Sequence, residues 1–215
     1  MQYTVIVFCA VIAVSYLIVC WQRKVNLMRM LKCLLVPSIA IVYFYFTKEI
    51  NWLIAAGAAF GLIGDYLLLI KKLVPGGISF FLGHVMYSIA FAQNTKFALG
   101  TLLWGAALCA VYALTSTCVI KNVIKGKRLA KKMRVTAFLY IMSVGLMSAF
   151  ALMQFVSVPS AQFAVIYFGS LLFLISDCLI LFEKFAKSNK PNHRHFVVMV
   201  TYIAAQMMII LGMIN

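Results

Sequence analysis

Long apolar runs alternate along this chain with short stretches that hold most of its charge. A run of roughly 17–25 apolar residues signals a membrane-crossing helix, because a helix rising ~1.5 Å per residue must traverse ~30 Å of hydrocarbon. Eight such runs occur, at 4–21, 30–46, 52–70, 79–94, 97–120, 133–155, 161–182 and 196–214. Open strands are excluded there, since lipid-exposed backbone must satisfy its own hydrogen bonds. The expected fold is all-α: a polytopic bundle of eight transmembrane helices making a single domain over 1–215, without a soluble domain or a convincing repeat.

The polar positions between the runs set an expected orientation. Loops after the odd-numbered spans, with their flanks, hold 17 lysines and arginines, whereas the even-numbered loops hold only Lys48 and Lys96. Positive charge marks the cytoplasmic side. Both termini are therefore expected on the opposite, non-cytoplasmic face. Run 4–21 is followed rather than preceded by positive charge and has no small-residue cleavage site, so it reads as a span and not a signal peptide.

Composition agrees with the pattern. The 215 residues are 65% hydrophobic and 11% charged, with mean hydropathy +1.04. A soluble domain of this size would expose one continuous apolar patch. The net charge of +15 raises the question of nucleic acid. The loop bias favours a membrane surface instead, with the basic stretch 121–134 touching anionic headgroups, so no nucleic-acid partner is expected. The six cysteines, Cys9, Cys20, Cys33, Cys109, Cys118 and Cys178, form no ligand pattern and read as small buried hydrophobes.

Against this background two carboxylates stand out. Asp65 lies inside Gly57-Ala-Ala-Phe-Gly61-Leu-Ile-Gly64-Asp65-Tyr66-Leu-Leu-Leu-Ile70, and Asp177 inside Leu171-Leu-Phe-Leu-Ile-Ser176-Asp177-Cys178. An acid within a span costs a few kcal/mol or more, so each is a functional-site hypothesis by default. Gly57, Gly61 and Gly64 share one helix face and suit close helix packing. Asp65 follows Gly61 by four residues and projects from nearly the same face, into the bundle.

The expected orientation puts both aspartates in the cytoplasmic half of their spans. Lys32, His84, Tyr87, Tyr112, Ser116, Tyr140, Ser176, Thr201, Tyr202 and Gln206 fall in the same half, which points to one shared cavity opening to that side. Plainer readings stand beside these. His84 fits a hydrogen-bonded core histidine equally well, and Lys32 fits a lysine snorkelling to the headgroups. The tyrosines fit ordinary amphipathic aromatics, while His193 and His195 fit a solvated loop.

Gly64-Asp65 followed by leucines, then Phe81-Leu-Gly83-His84-Val-Met-Tyr87-Ser-Ile-Ala-Phe91, resembles the YhhN-like lysoplasmalogenase family. Ser176-Asp177, Thr201-Tyr202-Ile-Ala-Ala-Gln206 and Lys32-Cys33 are similar to further motifs of that family, in order along nearly the whole chain. Two departures are a proline five residues after Lys32, at Pro37, rather than close behind it, and Ile203 where a second tyrosine is common. The resemblance implies eight spans and a membrane hydrolase that cleaves the vinyl ether bond of lysoplasmalogens. Its products are a fatty aldehyde and glycerophosphoethanolamine or glycerophosphocholine, and Asp65 and Asp177 are the implied catalytic pair. Lys32, His84, Tyr87, Tyr112, Tyr140, Ser176, Tyr202 and Gln206 would bind or orient the substrate. The partners expected are a lysophospholipid and the bilayer, the host membrane being the cell membrane of a bacterium or the endoplasmic reticulum of a eukaryote. Nothing in the sequence fixes an oligomeric state.

The chemistry suits these residue types. Vinyl ether hydrolysis begins with protonation of an alkene carbon, giving an oxocarbenium ion that water captures as a hemiacetal. A carboxylic acid to deliver the proton and a carboxylate to stabilise the cation are the pairing used by glycosidases. No cofactor and no metal are expected. A proton-coupled or lipid transporter is the chief alternative, since intramembrane acids also mark ion pathways. No matching pair of interrupted spans supports it. A zinc hydrolase would call for about three protein ligands, and the spans hold a single histidine, His84.

Overall fold

A computed structural model describes residues 2–123, 131–185 and 194–214. It contains α1 (Gln2–Trp21), α2 (Val25–Phe46), α3 (Trp52–Leu69), α4 (Leu73–Gln93), α5 (Leu99–Val123), α6 (Lys131–Ser157), α7 (Ala161–Phe185) and α8 (Arg194–Gly212). All eight are long and apolar enough to cross a membrane, and no strand occurs among the described residues. The chain is a multi-pass helical membrane protein. Lys125, Lys127, Arg128, Lys187 and Lys190, which the loop-charge argument uses, and His193 lie outside the described residues.

Two helices begin earlier than hydropathy predicts. α4 starts at Leu73, six residues before the expected 79, and so takes in Pro75, Gly76 and Gly77. Pro75 is the third helical residue, where a backbone N–H has no intrahelical acceptor to lose. Gly76 is there for close packing: a Cβ on it would sit 3.0 Å from Leu68 and 3.3 Å from the Gly64 carbonyl oxygen. α2 starts at Val25 rather than 30, because the polar Asn26 and Arg29 lower hydropathy without interrupting the helix. Lys32 consequently stands two turns inside α2, about 10 Å from its start, and not in the first turn.

α1 and α3 end alike. Arg23 and Lys71 adopt positive φ, 57° and 62°. Lys24 N–H closes back on the Val19 carbonyl at 3.2 Å, as Lys72 N–H does on Leu67 at 2.8 Å. This is the wrap that usually ends in glycine. A side chain there costs roughly 1 kcal/mol, and a cation beside the helix C-terminus offsets part of it.

Helices consecutive in sequence pair as α1–α2, α3–α4, α5–α6 and α7–α8, and further contacts join α2 to α3, α4 to α6, α6 to α7 and α8 to both α1 and α2. Seven helices therefore close into a ring in the order α1, α2, α3, α4, α6, α7, α8. α5 stands outside it, packed chiefly on α6. The buried apolar cluster is built from the ring helices. Small residues let the ring close: a Cβ on Gly83 would lie 3.1 Å from the Gly57 carbonyl oxygen, so α3 and α4 meet backbone to backbone.

Candidate functional site

Polar side chains gather inside the ring near one end. Asp65 lies four residues before the end of α3 and Asp177 eight before the end of α7, about 6 and 12 Å in along the helix axes. Asp65 is 1% exposed and Asp177 3%. A buried charge is tolerated only when paired and hydrogen-bonded, and Asp65 meets that condition. Its Oδ1 is 3.0 Å from the Lys32 ammonium, and its Oδ2 accepts the Tyr202 hydroxyl at 2.8 Å. The donors continue outward. Gln206 gives an Nε2–H to the Tyr202 oxygen at 3.5 Å, and Tyr87 gives its hydroxyl to Gln206 Oε1 at 3.3 Å. The Lys32 ammonium also lies 5.9 Å from the centre of the Tyr202 ring. Every donor in this chain points toward the Asp65 carboxylate.

Asp177 is held differently. Tyr140 of α6 hydrogen-bonds its carboxyl group, while Oδ2 is buried with no partner among the described residues. Asp65 and Asp177 are close enough to interact electrostatically. Aromatic rings fill the space around them. Phe173, one turn before Asp177 on α7, meets Tyr202 edge-on at 5.6 Å and His84 edge-on at 5.0 Å; Tyr140 lies tilted on His84 at 5.7 Å. His84 Nδ1 is 3.2 Å from Ser143 Oγ.

The residues proposed from sequence thus divide. Asp65, Asp177, Lys32, His84, Tyr87, Tyr140, Tyr202 and Gln206 form one connected group. Tyr112 does not join it. It stands on α5, outside the ring, where its hydroxyl pairs with Ser148 Oγ at 2.9 Å and Ser148 accepts Ser170 at 2.9 Å. Ser116, on the same helix, bonds the Ala113 carbonyl at 2.9 Å. Ser176 donates to the Val198 carbonyl at 3.1 Å and fastens α7 to α8, and Thr201 bonds carbonyls of its own helix. Lys32 is ion-paired rather than snorkelling, with 14% of its side chain exposed. The cysteines also divide, Cys9 and Cys20 being buried whereas Cys118 is exposed.

Sequence reading passed over three members. Tyr16 of α1 is fully buried, interacts electrostatically with Asp65, and has a hydroxyl with no hydrogen-bond partner among the described residues. Its depth, five residues before Trp21, was the available signal. Phe173 shares the Asp177 face at a spacing of four, and Ser143 follows Tyr140 by one turn. With them, each of the seven ring helices supplies a side chain.

Asp65, Asp177, His84, Tyr87, Tyr202 and Gln206 are all buried. An open cavity of about 560 Å³ lies at the other end of the bundle, among Glu49, Asn51, Gln93, Asn94 and Gln162. No three His, Cys, Asp or Glu side chains among the described residues gather as metal ligands would.

The YhhN family model matches residues 27–213, that is, α2 to the end of α8 and every site residue except Tyr16. The chain belongs to the YhhN family. The matched stretch makes this YhhN protein a family member over nearly its whole length, with α1 closing the ring from outside the match. No curated protein and no solved structure matches it.

Proposed function

We propose that this YhhN protein hydrolyses the vinyl ether bond of lysoplasmalogens, with Asp177 as the acid and Asp65 as the ionised partner. The observation that carries the reading is the asymmetry between two neighbouring buried carboxyl groups. Both Asp65 oxygens receive donors, Lys32 and Tyr202, whereas Asp177 keeps one buried oxygen without a partner among the described residues. Paired carboxyl groups in unlike surroundings divide acid and base roles in this way.

In the proposed course, Asp177 delivers its proton to the alkene carbon remote from oxygen, and the electron pair of the double bond forms the new C–H bond. The adjoining carbon becomes part of an oxocarbenium ion, which the Asp65 carboxylate stabilises. Water adds to that carbon, and the hemiacetal breaks its bond to the glycerol oxygen. Fatty aldehyde and glycerophosphoethanolamine or glycerophosphocholine leave. Lys32 pairs with the Asp65 carboxylate and offers a cation to the substrate phosphate, and Tyr87, Gln206 and Tyr140 keep the two carboxyl groups in place. The loop charges support a site in the cytoplasmic half of the membrane with both termini on the far side.

The test is an aldehyde-release assay on purified protein in detergent or vesicles with lysoplasmalogen. Wild type is expected to release aldehyde, and folded Asp65→Asn and Asp177→Asn variants to lose it by at least about 100-fold. Near-wild-type release by either folded variant would reject the pairing. Uptake of substrate into vesicles without cleavage would replace it with transport.

A further inference from the structure

His84 plays no part in the proton delivery described above, yet the hydrogen bonds around its ring favour one tautomer. Ser143 has one hydroxyl proton, and it is directed at the Tyr140 carbonyl oxygen at 2.7 Å. The contact of 3.2 Å between Ser143 Oγ and His84 Nδ1 therefore has the serine oxygen as acceptor and Nδ1–H as donor. The proton on Nδ1 leaves Nε2 with a bare lone pair. That atom is buried, in a side chain 1% exposed, and has no hydrogen-bond partner among the described residues. A buried acceptor left unpaired costs about 1–3 kcal/mol, so an arrangement that enforces one calls for an occupant that donates to it.

Its surroundings identify the occupant. His84 is one ring away from Asp177 and two rings away from Asp65. Tyr140, tilted on it at 5.7 Å, bonds Asp177, and Phe173, edge-on at 5.0 Å, packs on the Tyr202 that donates to Asp65. Asp177 Oδ2 is a second unpaired acceptor in this shell, and the Tyr16 hydroxyl is unpaired as well among the described residues. In a space so closely filled by rings, a group that donates to Nε2 is a small O–H, such as that of water.

We propose that His84 is the base of the hydration step, its Nε2 taking a proton from the water that captures the oxocarbenium ion; this rests on the vinyl ether reading above. The step balances. The water oxygen forms a bond to the cationic carbon, the C=O π pair returns to the ether oxygen, and the surplus water proton passes to Nε2. Asp177 has by then lost its proton, so the charge of the imidazolium is balanced by a new carboxylate and the net charge of the shell is unchanged. In the collapse that follows, the imidazolium returns its proton to the departing glycerol oxygen. The hemiacetal hydroxyl gives its own proton to Asp177, and both groups are restored. Ser143 is a positioning residue, acting only through the tautomer.

The decisive experiment runs wild type, His84→Phe, Ser143→Ala and Asp177→Asn on lysoplasmalogen in D2O, measuring aldehyde release and the deuterium content of recovered substrate. His84→Phe is expected to lower release about 100-fold or more while the recovered substrate gains deuterium at the protonated vinyl carbon, because protonation proceeds and reverses when capture is slow. Asp177→Asn is expected to give neither product nor exchange. Nitrogen NMR of histidine-labelled wild type should place the proton on Nδ1 of His84, and Ser143→Ala should shift it toward Nε2 and lower release about tenfold. Release near the wild-type rate from folded His84→Phe, loss without exchange, or a proton on Nε2 in wild type overturns the assignment. If His84→Phe does not fold, the tautomer and the Ser143→Ala rate decide. Absence of aldehyde from wild type would instead fail the vinyl ether reading, and this role with it.

Discussion

Removing Lys32 should do most of its damage through Asp65, and the structure allows the size to be worked out. Lys32→Met keeps the aliphatic stem and deletes the ammonium that lies 3.0 Å from Asp65 Oδ1. The carboxylate, 1% exposed, then retains only the Tyr202 hydroxyl. Breaking a buried pair costs about 3–5 kcal/mol. The 14% exposure of the lysine side chain argues for the low end, about 3 kcal/mol, or about 6–12 °C in melting temperature for a chain of this size. Asp65→Asn leaves Lys32 with a route to water and Tyr202 with an acceptor, so it should cost less, about 1–2 kcal/mol. The double variant buries no unpaired charge and should cost no more than Asp65→Asn alone, a coupling of about 3 kcal/mol in the cycle. Thermal melts of the four proteins in one detergent measure this, with aldehyde release read in parallel. The double variant should be stable and inactive. Additive losses, or a Lys32→Met variant as stable as wild type, would refute the claim that this pair neutralises a buried charge.

Other consequences are narrower. Tyr202→Phe keeps the ring against Phe173 and deletes only the hydroxyl bonded to Asp65. A hydrogen bond to a charged group is worth about 1.5–3 kcal/mol, so kcat/KM for aldehyde release should fall at least about tenfold with folding retained; an unchanged value would mean that Asp65 does not depend on it. Gly57→Ala would place a Cβ 2.5 Å from the buried Tyr87 ring. Overpacking of about 1–3 kcal/mol should appear in the melting temperature, whereas Gly61→Ala, at 3.4 Å from the Gln206 amide, should shift it far less; equal shifts would contradict the packing. Tyr112→Phe should leave aldehyde release within about twofold of wild type and cost only the roughly 1 kcal/mol of a neutral hydrogen bond. A large loss of activity would bring α5 back into the site.

Much of this was legible in the chain because a bilayer imposes simple rules. Hydrocarbon thickness fixes span length, so eight apolar runs became eight helices. The cost of an intramembrane charge makes an isolated acid conspicuous, so Asp65 and Asp177 could be singled out without any view of their neighbours. Depth along a span is also one-dimensional, and it brought Lys32, His84, Tyr87, Tyr140, Tyr202 and Gln206 to one level together with Tyr112, Ser116 and Ser176. Depth says nothing, however, about which way a side chain points or which helices adjoin. Those are settled by packing: glycines that let α3 meet α4, and a ring that closes through α4 and α6 and leaves α5 outside. The same closure removes Tyr112 from the site and admits Tyr16, whose helix hydropathy marks only as lipid-compatible. The difference between the two aspartates is tertiary as well. Each is one acid in an apolar run, and only the partners brought by α2, α6 and α8 give Asp65 two donors while Asp177 keeps an oxygen with none among the described residues.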